Sequence, residues 1–192
     1  MCHNSQQSLT GEVKPLAGSI LMVKKARSQE PHALLRQLAT VPDKLFAGNF
    51  AQQYGALCFR DKREASGIEI LLTTSRDSGR WIIPKGWPIK GKKPFEAAAT
   101  EAWEEAGIRG EVKKRPVGRF TYLKALEGRE LVPCLVDVFQ LRVTEEKEDF
   151  KEKGQRILEW VSPEEAARRV SEPELKTLLR GFKQRKASKP RG

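Results

Sequence analysis

Histidine and cysteine are scarce: two and three among 192 residues. His3 and His32 both precede the central segment that holds the chain's motifs, so no chemistry is assigned to them. Cys2, Cys58 and Cys134 are too widely spaced for a metal-binding pair or a disulfide framework. Cys58 and Cys134 sit in apolar, strand-like runs and read as core residues. A chain without disulfides suits a reducing cytosol. No apolar run approaches the ~20 residues that cross a bilayer. Ile20–Val23 is too short for the apolar part of a signal peptide and runs into Lys24 and Lys25. These absences argue against a membrane protein and a stapled secreted domain, and the expected location is cytoplasmic. No internal repeat is visible, and the length suits one sizeable core.

Acid is also missing, but only at the ends. The formal charge is +11, yet residues 1–46 carry six Lys/Arg against three acids and residues 176–192 carry seven against none. The centre is therefore nearly neutral. Residues 1–46 read as an N-terminal extension, polar and partly disordered, with apolar residues at helical spacing only in Pro31–Ala39. Residues 183–192 read as a basic, solvated tail with nonspecific attraction to polyanions. The tail has no aromatic residues for stacking on bases, so nucleic acid is a less favoured partner than a small polyanion.

The most informative segment runs from Gly86 to Ile108. It reads as a glycine-bearing loop opening a helix that carries Glu101, Glu104 and Glu105. At ~100° per residue these three share a narrow arc. Pro94 suits the first helical turn, and Ala97, Ala98, Ala99 and Ala102 favour helix. Gly107 suits a left-handed end, after which Ile108 re-enters the core. The expected buried stripe is Phe95, Ala98, Ala102 and Ala106, with the glutamates facing away. A hard cation such as Mg²⁺ or Mn²⁺ would relieve the repulsion among the carboxylates. A solvated acidic face fits the same residues, and on spacing alone both readings stand. Lys85, Lys90, Lys92 and Lys93 add positive charge just upstream with no acid between them. Carboxylates beside a basic loop are what cleavage of a phosphoanhydride requires.

This segment resembles the Nudix box: glycine, five residues, Glu, seven residues, Arg-Glu, an apolar residue, any residue, Glu-Glu, any residue, glycine and an apolar residue. Gly86, Glu101, Ala102, Glu104, Glu105, Gly107 and Ile108 occupy their places in it. Leu71–Pro84 resembles the strand–turn–strand that enters the box, and Glu159–Glu165 the strand and helix that close such a domain. Within the family the chain is most similar to diphosphoinositol polyphosphate phosphohydrolases, through Ala56–Arg60, Ser75-Arg76, Arg80-Trp81 and Gly118–Phe120. Two positions depart from the pattern: Lys92 stands where the box has its first glutamate, and Thr100 where it has its arginine. The first reverses a charge at the rim; the second removes a cation that usually holds the glutamate cluster.

The resemblance implies an α/β fold, an α/β/α sandwich on a mixed sheet, with the hydrolase domain at 47–182. Strands are expected at 53–60, 68–74, 81–84, 111–117, 120–123 and 131–143, with Asp77–Gly79 as a turn and 145–154 as a charged loop. Ser162, Pro163 and Glu165 mark the start of a helix that ends near Val170, and a last helix covers 173–182. The resemblance also implies metal binding and catalysis by Glu101, Glu104 and Glu105, with the main-chain carbonyl of Lys85 and an acid from a later loop, for which Glu152 is the candidate. Glu152 reads equally well as an ordinary charged loop residue. Substrate phosphates would meet Arg76, Lys85, Gly86, Lys90, Lys92, Lys93 and Arg129, although a solubilising rim would look alike. The expected activity is metal-dependent hydrolysis of phosphoanhydrides in highly phosphorylated small molecules, either diphosphoinositol polyphosphates or dinucleoside polyphosphates. The alternatives are a hydrolase of nucleotide or RNA 5′ ends and a catalytically weakened domain that binds polyanions.

Overall fold

The computed structural model describes residues 50–62, 67–125 and 131–182. Its elements are β1 (Ala51–Asp61), β2 (Ile68–Thr74), β3 (Trp81–Ile82), β4 (Lys85–Gly86), α1 (Pro94–Ala106), β5 (Ile108–Val112), β6 (Gly118–Ala125), β7 (Leu131–Glu146), β8 (Leu158–Val161), α2 (Pro163–Arg169) and α3 (Pro173–Gly181). All eight strands join one sheet. β1 and β7 run parallel, from Ala51 opposite Cys134 to Phe59 opposite Arg142. The remaining pairings are antiparallel, so the sheet is mixed as expected.

The central strands are apolar on both faces because both faces are covered. Leu57, Phe59, Ile70, Leu72, Val136 and Val138 pack with Ala166, Ala167, Val170, Leu175 and Leu179 of the α2–α3 layer. Ala56, Cys58, Leu71, Phe139 and Leu141 pack with Ala98, Ala102 and Ala106 of α1. The small side chains on α1 let its backbone settle close to β1, which brings the glutamates of the helix up to the sheet. Cys58 and Cys134 are free and buried, and burial pushes both thiols up, which makes them poor nucleophiles.

The helix ends follow the local chemistry. Pro94 opens α1, and Glu96 Oε2 accepts the Lys93 N–H at 2.9 Å. Gly107 ends it at φ 68°, where an added Cβ would sit 2.5 Å from the Lys147 carbonyl oxygen. Ser162 Oγ accepts the Glu165 N–H at 3.2 Å and caps α2.

Three expectations are corrected. The strand expected at 111–117 is Ile108–Val112, because Ile108 enters the sheet directly after Gly107 and Pro116 brings no N–H to a ladder. β7 continues past Val143 to Glu146, since β5 pairs with that extension, Ile108 opposite Glu146. Lys85 and Gly86, expected in a loop, pair with Gly55 and Tyr54 of β1. The helix anticipated at 31–39 and the basic tail lie outside the described residues. Among the described residues no helix is long and apolar enough to cross a membrane.

A buried ion pair ties the α2–α3 layer to the entry of the site. Arg80 Nη1 lies 2.9 Å from Glu172 Oε1, and Glu172, 4% exposed, precedes α3. Glu172→Ala is expected to destabilise the protein by about 2 kcal/mol, less than breaking a fully buried pair costs, because Arg80 stays partly solvated. A urea midpoint that shifts at constant m checks it, and an unchanged midpoint would refute it.

Candidate functional site

Two α1 glutamates reach the β4 segment. Glu101 lies against Gly86 so closely that a Cβ there would be 2.2 Å from its carboxyl carbon. Glu105, one turn on, directs Oε2 toward the Lys85 N–H at 3.3 Å. It is 5% exposed, so the expectation that all three glutamates face away from the core is wrong for this one. The physical reason is a partner from far along the chain: Arg156 Nη2 donates to Glu105 Oε1 at 2.6 Å. A buried carboxylate met by a buried guanidinium does not need water as its counter-charge. Phe95, expected in the buried stripe, is half-buried, and Ala97 is fully buried instead.

The loop before β8 closes over the end of α1. The Glu152 N–H donates to the Glu104 carbonyl at 3.0 Å, and Lys151 Nζ reaches Glu104 Oε2 at 2.5 Å. Glu152 accepts from Arg156 Nε at 2.8 Å and lies 3.6 Å from Arg76 Nη1. The structure thus gathers Glu101, Glu104, Glu105, Glu152, Arg76, Lys85 and Gly86 in one region. Lys90, Lys92 and Lys93 stay exposed on the approach to α1. The two departures from the box touch each other: Lys92 Nζ donates to Thr100 Oγ1 at 2.7 Å, and that hydroxyl donates to the Glu96 carbonyl at 2.8 Å. Arg129 lies outside the described residues.

Burial and crowding set the electrostatics. Burial pushes Glu105 up to about 7; Arg156 and Lys85 pull against that rise, while Glu101 and Glu152 add to it. Burial, then the charges of Glu104 and Glu152, raises Glu101. Glu101 accepts no hydrogen bond among the described residues, which makes it the least committed carboxylate. Burial lowers Lys85, against the opposing pull of Glu105. The Lys85 ammonium sits 4.9 Å from the centre of the Tyr122 ring, whose hydroxyl donates to Gln53 Oε1 at 2.6 Å. Trp87 is half-exposed next to β4, with Lys124 Nζ 5.4 Å from its ring, whereas Trp81 packs against the core.

Among the described residues, no three carboxylate, thiolate or imidazole groups converge as a ready-made cation cage. Lys151 and Arg156 stand among the carboxylates instead. Sequence reasoning missed Arg156, Lys151 and Tyr122. Arg156 follows a glycine and a glutamine in a charged stretch, and nothing local sets it apart from Arg168 or Arg169.

Comparison with known proteins bears on the family and the fold. Nudix hydrolase 12, mitochondrial, of Arabidopsis thaliana is 30% identical over 66% of this chain, and the match spans 61% of that protein's length. The mouse diphosphoinositol polyphosphate phosphohydrolase 3-alpha is 34% identical over 61% of this chain and 67% of its own length. Among solved structures, the MutT protein of Methanosarcina mazei Go1 superposes with a TM-score of 0.51 at 20% identity, covering 68% of this chain and 91% of that one. An Ap4A hydrolase of C. elegans in a binary complex gives 0.50 at 23% identity, covering 68% and 93%. At such identities the two structures attest to the fold alone. The NUDIX domain model matches residues 50–182, the whole sheet with its three helices, and the chain belongs to that family.

Proposed function

We propose that this protein is a divalent-metal-dependent hydrolase of phosphoanhydride bonds in highly phosphorylated small molecules, diphosphoinositol polyphosphates or dinucleoside polyphosphates. The observation that carries the reading is the seat of Glu101 on Gly86 beside the buried Glu105. Two carboxylates whose proton affinity is raised by burial and by neighbouring acids suit a cation and a phosphate loop together. The name of the mouse relative points to the first of these substrate classes.

By donor chemistry the residues fit Mg²⁺ or Mn²⁺, since an all-oxygen set of mutually repelling carboxylates favours a hard cation. Glu101, Glu104 and Glu105 would hold it, with the Lys85 carbonyl and Glu152 as further donors. When bound, the cation would neutralise phosphate charge and lower the pKa of water. Glu101, which accepts no hydrogen bond among the described residues, or Glu104 would share in holding the cation or take a proton from the attacking water. Lys85 and Arg76, with Lys90, Lys92 and Lys93 outside them, supply charge for the phosphates, and the depth of Lys85 strengthens its attraction. Transfer of this kind is mostly positioning and charge stabilisation.

A phosphate-release screen with Mg²⁺ across inositol pyrophosphates, dinucleoside polyphosphates, ADP-ribose and capped RNA tests the reading. Turnover is expected to be fastest on the first two classes. A preference for capped RNA would point to the 5′-end reading instead. One observation favours the weakened-domain reading: Lys151 and Arg156 already pair with Glu104 and Glu105. Tight binding of these ligands with no turnover of any would establish it and sink the hydrolase.

A further inference from the structure

The cation that the box pattern places on the helix is missing at Thr100, and the last turn of α1 holds no basic residue. Glu105 nevertheless has a guanidinium, delivered from a separate segment. Arg156 spends all three edges of its fork: Nη2 on Glu105 Oε1 at 2.6 Å, Nε on Glu152 Oε2 at 2.8 Å and Nη1 on the Thr74 carbonyl at 2.9 Å. Its side chain is 8% exposed, and those of Glu105 and Glu152 are 6% and 14% exposed. We infer that Arg156 is a positioning residue for this site, fixing Glu105 on α1 against Glu152 on the loop before β8. The inference rests on the hydrolase reading and deepens it.

Stability alone is a weak reason for such a trio, because a buried ion pair is often no better than apolar packing of the same volume. Orientation is a better one. A planar fork fixes the plane and direction of each carboxylate it holds, which an ammonium does not. With Glu105 Oε1 held by Arg156, Oε2 is directed at the Lys85 N–H, on the loop where Glu101 meets Gly86. With Glu152 Oε2 held, Oε1 faces Arg76, which is exposed and open to substrate. The guanidinium thus links the buried glutamate, the loop acid and the rim arginine through one set of fixed angles. The third edge, on the Thr74 carbonyl, anchors it to the end of β2 and keeps it from following either carboxylate.

Arg156→Ala and Arg156→Lys in the full chain test this. Arg156→Ala is expected to lower kcat about 10- to 100-fold, as loss of a group that orients metal-site ligands does, with KM changed less than about threefold. Arg156→Lys keeps the charge and the fold but loses the fork, and recovers less than about a tenth of the wild-type kcat. Guanidinium ion at about 10 mM, far below denaturing concentration, is expected to restore activity to Arg156→Ala several-fold, which a structural defect would not allow. Direct titration with Mn²⁺ alone, read by electron paramagnetic resonance, is expected to show affinity weakened about 10-fold in Arg156→Lys. Wild-type kcat in either variant overturns the inference, as does a fall in activity that follows the melting temperature without guanidinium rescue. If the wild type cleaves no phosphoanhydride, the hydrolase reading fails, and the Mn²⁺ titration still decides: equal affinity in wild type and Arg156→Lys, or no binding by either, overturns the positioning role.

Discussion

Glu105→Gln is expected to abolish phosphoanhydride cleavage, by about 10³-fold or more, because it removes the charge of the one site glutamate buried in the core. Glutamine keeps the shape and can still accept from Arg156 through its carbonyl oxygen, so the fold is expected to persist. Substantial activity in this variant at saturating Mg²⁺ would sink the site assignment. Stability supplies an independent check. Burial raises Glu105 from its ordinary 4.5 to about 7 in the folded protein. Between those values the native state binds the proton and the unfolded chain does not, so stability falls as pH rises. The metal-free wild type should lose roughly 3 kcal/mol across that window. Glu105→Gln should lose none of that share. Urea midpoints from pH 4.5 to 8 in chelator measure the difference, and parallel profiles for the two proteins would show that Glu105 is not held in this way.

Features written in local chemistry were legible before the fold was known. Pro94, the alanine run and Gly107 delimit α1 because each acts through its own backbone or its nearest turn. Ser162 announces α2 for the same reason. The arc of Glu101, Glu104 and Glu105 follows from helical pitch alone. The burial of Glu105 was not legible, because a glutamate reads as solvent-facing until its counter-charge is known, and Arg156 lies 51 residues away. Lys85 and Gly86 form a strand only because β1 offers them Gly55 and Tyr54. β7 outruns its apolar pattern because β5 pairs with Glu145 and Glu146, whose side chains say nothing of a ladder. Lys92 and Thr100 looked like two separate losses from the box, yet across two turns of chain they form one contact at 2.7 Å. Long-range charge pairing and strand partnership were the missing information in each case.

Gly86→Ala should separate catalysis from stability more cleanly than any change of charge. The glycine is needed for closeness and not for a left-handed backbone, since it is absent from the positive-φ glycines. An alanine methyl would sit 2.2 Å from Cδ and Oε1 of Glu101 and 2.4 Å from Oε2, so one of the two groups must move. The Glu101 carboxyl is the far end of a flexible side chain with no hydrogen bond among the described residues, and it can swing away at small cost. The expected result is a kcat about 100-fold lower, since misplacing a reacting group by an ångström costs on that order, with a nearly unchanged urea midpoint. Gly110→Ala is the matched control. Its Cβ would meet the Arg142 carbonyl oxygen at 2.0 Å, and a backbone atom in the β5–β7 ladder cannot yield as a side chain does. That variant should lose about 3 kcal/mol or more, as severe overpacking does, and should keep the kcat of whatever fraction stays folded. Full activity in Gly86→Ala would mean that Glu101 does its work from somewhere other than its seat on the loop, and the share given to it in holding the cation or taking the proton would fall.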